Sequence, residues 1–212
     1  TQAGAQTRTD GLHFGVHGQA RPDPSEGGYV TGHARVGLEN NTTQRKVAFD
    51  AYQGIGRSEW VGFAGAAAVG AGYNWQAGPV SFGPVADLDY GYNWRPAVRE
   101  TGTGGIALAL DSAGQHSLRS GLGGQLRAEH SLDQDRVLQA GLRAKWLLDM
   151  LGNTATTRGR FAGADGPKFS SHTPAVARNG LGVQGHVALW LANGSSCTAF
   201  AGTELFGSGS SS

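Results

Sequence analysis

The side chains best placed to do chemistry are the histidines and the neighbouring carboxylates Asp87 and Asp89. On an extended strand alternate residues share a face, so Asp87 and Asp89 stand side by side. His13, His17, His33 and His186 fall on the polar faces of their own segments. A carboxylate and an imidazole at the rim of a membrane barrel could carry out general acid–base hydrolysis. The spacing opposes a metal site: His13 and His17 share a face but lie about 13 Å apart along a strand, too far to chelate one ion. No Gly-x-Ser-x-Gly elbow is present to expose a nucleophile. Gly121-Leu122-Gly123-Gly124 lacks the strand-to-helix setting of a phosphate loop, and glycine-rich strands account for it better. The expectation is no catalytic, cofactor-binding or metal-ligating residue, and no cofactor.

These residues are carried by alternating segments. In Val80–Asn93 the residues Val80, Phe82, Ala86, Leu88, Tyr90 and Tyr92 point one way, and Ser81, Asp87, Asp89, Gly91 and Asn93 the other. The same period marks eleven strand-like stretches: 12–17, 30–39, 44–52, 60–75, 80–93, 97–111, 117–130, 136–149, 154–161, 181–191 and 197–206. Tight hairpins are expected at Asn40-Asn41-Thr42, Gln76-Ala77-Gly78-Pro79, Ser112-Ala113-Gly114 and Asn193-Gly194-Ser195-Ser196. Longer connections are expected at Gln53–Glu59, Asn93–Val98 and Gly163–Asn179.

Composition fits an all-β chain, with 36 glycines, one Met, one Cys and seven prolines in 212 residues. Cys197 alone forms no intramolecular bridge, and a net charge of +1 offers no basic stripe for nucleic acid. No apolar run is long enough for a membrane helix. A membrane barrel stays open, because its signal is alternation rather than bulk hydrophobicity. One domain is expected over residues 1–206, followed by a flexible Gly/Ser tail at 207–212.

A soluble β-sandwich or lipocalin-like barrel would also alternate, with its apolar face turned inward. Two features favour the reverse arrangement. Trp60, Tyr73, Trp75, Tyr90, Tyr92 and Trp94 gather near strand ends, as an interfacial aromatic girdle requires. The polar faces carry Arg35, Asp87, Asp89, Arg119, Arg127, Glu129 and Arg143, which suit a hydrated lumen. On the lipid side an Arg or Lys would cost about 2–4 kcal/mol at mid-membrane. The reading is an antiparallel up-and-down transmembrane β-barrel.

An ordered series of short motifs resembles the translocator barrel (β-domain) of bacterial autotransporters, with the barrels of esterase-type autotransporters among those closest in pattern. Tyr29-Val30 through Gln44-Arg45-Lys46-Val47 is similar to a strand pair ending in an arginine-led strand. Gly72-Tyr73-Asn74-Trp75 and Phe82-Gly83-Pro84-Val85-Ala86 resemble the family's Gly-Tyr and Pro-containing strands. Glu100-Thr101-Gly102 stands in the place of its Glu-x-Gly, ahead of Ser117-Leu118, Gly121-Leu122-Gly123, Trp146, Phe161 and Phe169.

The resemblance implies a twelve-stranded barrel in the Gram-negative outer membrane, of which about eleven strands are readable. Its function would be to anchor a secreted passenger domain and assist its passage to the cell surface by type V secretion. Lipid, the passenger polypeptide and the barrel assembly machinery are the implied partners, and Glu100 joins the implied lumen-lining set. Any catalysis would belong to the passenger. The family's terminal aromatic strand and pore-spanning helix find no match, so the chain reads as a truncated barrel. A stand-alone porin or adhesin using 163–179 as its contact surface, and a barrel enzyme, are the alternative readings.

Overall fold

The computed structural model describes residues 4–22, 27–49, 52–133, 135–151, 156–163, 167–172, 178–191 and 195–206. In chain order the strands are β1 (Gly4–Ala20), β2 (Gly27–Phe49), β3 (Tyr52–Ala77), β4 (Val80–Arg95), β5 (Val98–Arg99), β6 (Leu108–Leu110), β7 (Ala113–Ser131), β8 (Arg136–Asp149), β9 (Thr156–Phe161), β10 (Phe169–His172), β11 (Asn179–Leu191) and β12 (Ser196–Phe206). A 3-10 turn lies at Gly104–Ile106. Eight strands form one sheet in the order β1-β2-β3-β4-β7-β8-β11-β12, and four form a second in the order β10-β9-β6-β5. Every pairing between strands is antiparallel.

The large sheet has unlike ends. At one, the strands are joined across 21–26, 78–79, 132–135 and 192–195; Gly78 in the β3–β4 turn has φ +62°, where an L side chain is strained. At the other lie the joints 50–51, 96–112 and 150–178, and the second sheet is built from the latter two. These are called the turn end and the loop end below.

Five sequence expectations are corrected. Asn40-Asn41-Thr42 is no turn: β2 runs straight through it, and Asn40, Asn41 and Thr42 pair with both β1 and β3. Consequently 44–52 is not a separate strand, and Gln53–Glu59 is the start of β3 rather than a loop. The stretch 97–111 breaks into β5, the 3-10 turn and β6, which leave the large sheet. Ser112-Ala113-Gly114 is no hairpin either, since β6 pairs with β5 and β9 while β7 pairs with β4 and β8. The β3–β4 turn at Gly78-Pro79 is as expected. The proposed tail 207–212 lies outside the described residues.

Candidate functional site

The ladder assigns every side chain of the large sheet to one of two faces. The row Phe14–Val36–Gly65–Tyr92–His116 and the row Ala71–Ala86–Leu122–Trp146–Leu181–Leu205 lie on the apolar face. The row His17–His33–Ala68–Asp89–Arg119–Asp149 lies on the other. On the apolar face large side chains stand uncovered, Phe14 and Leu122 at 68% exposure each. Buried hydrophobic residues are few and scattered, among them Val85, Leu147 and Ala188. This is the inverse of a soluble β-fold, whose apolar face would be its core.

Ion pairs reveal which way the sheet curls. Lys145 Nζ on β8 reaches Asp87 Oδ2 on β4 at 2.7 Å, passing over β7. Arg119 on β7 binds Asp149 at 2.8 Å and Glu204 on β12 at 3.0 Å. Arg119 and Glu204 are three strand spacings and four residues apart, about 19 Å in a flat sheet, further than the two side chains extend. They meet because the sheet bends toward the polar face, which is its concave side.

Seven of the sequence-predicted lumen residues, Arg35, Asp87, Asp89, Arg119, Arg127, Glu129 and Arg143, share this concave face. Asp87 is held by Lys145, which leaves it a poor candidate for a free catalytic base. His13 lies 3.6 Å from Glu39, with its ring over Gly37, where a Cβ would collide with it. Among the described residues no group of three His, Cys, Asp or Glu side chains is placed to hold a metal ion.

Glu100 is set apart from the seven. It sits in the 96–112 connection, which folds inward over the concave face at the loop end. Arg45 of β2 forks onto its carboxylate, Nε to Oε1 at 2.9 Å and Nη2 to Oε2 at 2.6 Å, and the Leu108 N–H donates to Oε2 at 3.0 Å. Gly56 of β3 faces the same carboxylate, and a Cβ there would stand 3.0 Å from Oε2. Arg57 and Thr101 exchange two backbone hydrogen bonds at 2.9 Å, and the Tyr52 hydroxyl donates to the Thr103 carbonyl at 2.9 Å. Gly102, at φ +93°, passes so close to Ile55 that a side chain would strike its carbonyl at 2.5 Å. Burial pushes the Glu100 carboxyl pKa up; the Arg45 fork and the Leu108 N–H outweigh it and hold the group below the ordinary value of 4.5. The connection between β8 and β11 joins this cap through β9, with Ala162 N donating to Ala107 O and Asp111 N to Arg158 O. Sequence reasoning singled out Glu100 but missed Arg45 as its partner, since the two lie 55 residues apart.

The girdle candidates divide. Tyr73 and Trp75 stack near the turn end with Phe82 (centroids 5.3 and 5.8 Å), and Tyr90, Tyr92 and Trp94 lie toward the loop end, all on the apolar face. Along β4 the two groups are eight to twelve residues apart. With a 35–45° tilt that spans roughly 20–30 Å, the height of an outer-membrane apolar band. Trp60 is corrected: it pairs with Asn41 and shares the concave face with Gly62 and Asn41. It lines a cleft of about 510 Å³ at the loop end, with Glu39, Asn93 and Gln115. The adhesin surface 163–179 falls partly outside the described residues.

A family model, the autotransporter beta-domain, matches residues 1–202. The chain belongs to the autotransporter β-domain family. No curated protein matches it. The autotransporter β-domain is an outer-membrane translocator barrel, and the all-β sheet with its apolar face outward is that architecture.

Proposed function

We propose that this β-domain anchors a passenger polypeptide in the bacterial outer membrane and assists its passage to the cell surface along the concave polar face. The carrying observation is the sidedness of the sheet: uncovered apolar side chains outside, and an ion-paired polar surface inside. Lipid is the partner of the first surface, the passenger that of the second, and the outer-membrane assembly machinery the partner during insertion. The action is mechanical, and catalysis belongs to the passenger. The polar wall receives a chain without burying its amides in hydrocarbon, which would cost several kcal/mol for each unsatisfied group. The cap at the loop end stands over the exit.

The test is spin-label accessibility in lipid vesicles, with single labels from Val80 to Asn93. Labels at 82, 86, 88, 90 and 92 should be reached by oxygen, and those at 81, 87, 89 and 91 by a polar relaxant. Exclusion of both reagents from the even positions would mean a soluble fold with an apolar core and would end the translocator reading.

A further inference from the structure

We infer that the concave face near the turn end holds a binding cleft for carboxylates, fitted to acidic residues of the translocated polypeptide. The proposal rests on the translocator reading and names the chemistry that the wall selects. Two adjoining rows of the ladder form the cleft: Ser81–Arg127–Gly141–His186–Phe200 and Gly83–Gln125–Arg143–Gln184–Gly202. Its volume is about 300 Å³, and Arg127, Arg143, Gln125, Gln184, His186 and Phe200 are among its lining residues. Arg127 and Arg143 are diagonal neighbours across β7 and β8, close enough for two guanidinium groups to converge on one acidic segment.

Cations at other points of the face are paired. Lys145 has Asp87, and Arg119 has Asp149 and Glu204. Among the described residues the Arg127 side chain has no ion pair or hydrogen bond, and the Arg143 side chain makes only a 3.0 Å bond to the amide oxygen of Gln125. That amide in turn is fixed by donating to Asn74 at 2.6 Å. The nearest acid on the strand, Glu129, is two residues from Arg127, about 7 Å along the strand, and accepts from Gln139 at 2.8 Å. Among the described residues no acidic side chain lines the cleft. A guanidinium presents two parallel N–H groups that match a carboxylate, and the bond is charge-assisted. Glycines keep the floor open: the His186 ring lies over Gly141, in the space a Cβ would take. Phe200, 76% exposed beside His186 on the concave face, offers an apolar flank for the stem of an acidic side chain. Lipid headgroups are a poor match, because the cleft opens on the face opposite the apolar one.

The experiment measures binding of a fluorescein-labelled hexaglutamate peptide to the full chain refolded in detergent, by anisotropy at low salt. Hexalysine and inorganic phosphate serve as competitors. Arg127→Gln and Arg143→Gln should each weaken binding about tenfold, and together about a hundredfold, with Arg136→Gln at the turn as an unaffected control. Far-UV circular dichroism verifies folding, and R127K/R143K, which keeps the charge but loses the fork, should fall between. Equal binding by wild type and the R127Q/R143Q double variant overturns the inference. So does displacement by phosphate at equimolar concentration, which marks a general anion site. Peptide binding by a chain that fails to enter vesicles would strike the translocator reading alone; insertion without peptide binding would strike this inference alone.

Discussion

Replacing Glu100 by Gln should unlatch the cap at the loop end without disturbing the sheet below it. The Glu100 side chain is 7% exposed and that of Arg45 26%. The carboxylate accepts three hydrogen bonds, two from Arg45 and one from Leu108 N–H. Gln offers one oxygen, so its amide nitrogen must confront one of these donors. Removing one partner of a fully buried pair costs about 3–5 kcal/mol. Arg45 retains access to water and recovers part of that, so about 2 kcal/mol is expected, roughly a thirtyfold rise in cap opening. Hydrogen exchange reads this directly at Arg57, Glu100 and Thr101, whose amides bond to Thr101, Leu108 and Arg57 carbonyls at 2.7–2.9 Å. Their protection should drop about thirtyfold, while amides of β4 between Ala86 and Tyr90 hold theirs.

The same latch should respond to acid. A carboxylate whose pKa is depressed in the folded state contributes stability above its unfolded value of about 4.5 and loses it as pH falls through the lower folded value. Wild-type cap protection should therefore decline below pH 4.5, and in Glu100→Gln this part of the pH dependence should vanish. Unchanged protection in the variant at neutral pH would refute the reasoning, and equal loss in cap and sheet would show that Glu100 supports the whole fold rather than the cap.

Other outcomes are checkable. Gly123→Ala and Gly83→Ala would press a Cβ onto the Ala144 and Tyr73 carbonyls, where no rotamer change gives relief, and each should lower the urea midpoint in vesicles by the equivalent of about 1–3 kcal/mol. Gly124→Ala meets only the Gly83 carbonyl at 3.7 Å and should be tolerated. A double-mutant cycle should give Arg119 a larger coupling to Asp149, 17% exposed, than to Glu204, 48% exposed, because solvent screens the second pair. Equal couplings would contradict the burial argument. In single-tryptophan variants, Trp146 on the apolar face should be quenched by brominated lipid and Trp60 by aqueous acrylamide; the reverse would invert the faces.

What was legible in the sequence was the period of two, which groups Arg35, Asp87, Asp89, Arg119, Arg127, Glu129 and Arg143 on the polar sides of their strands. What misled was local chemistry satisfied at long range. Asn40-Asn41-Thr42 has turn composition, yet Asn41 is 8% exposed mid-strand, its side chain accepting from Thr9 Oγ1 at 2.7 Å and donating to the Glu39 carbonyl at 3.0 Å. Its capacity to bond a turn is already taken by β1 and by its own strand. The opposite error occurred at 97–111, whose apolar alternation suggests a sheet strand. There Glu100 is drawn to Arg45, and Gly102 reverses the chain at a positive φ, so the segment leaves the ladder. Trp60 was placed by its nearness to a strand end rather than by its parity, which already set it beside Gly62.

The glycine content acquires a purpose from these positions. A concave wall crowds its side chains, and a strand residue that must lay a ring or carboxylate flat needs an empty neighbour. Tyr29 lies over Gly72, His13 over Gly37, His186 over Gly141 and Asp87 over Gly121, each in space that a Cβ would fill. Glycine in a strand interior weakens it, by roughly 0.5–1 kcal/mol relative to Ala. Accepting that cost repeatedly on the inner face keeps the surface low at these positions. A soluble barrel with a filled interior gains nothing from such a surface, whereas a wall along which a polypeptide is proposed to pass requires it. Filling these sites one at a time should therefore raise the resistance of the passage as well as lower stability. Gly121→Ala, which displaces Asp87 from Lys145, separates the two effects if its passenger secretion is compared with that of a variant matched for stability on the apolar face. Equal secretion by both would leave the glycines a packing role and nothing more.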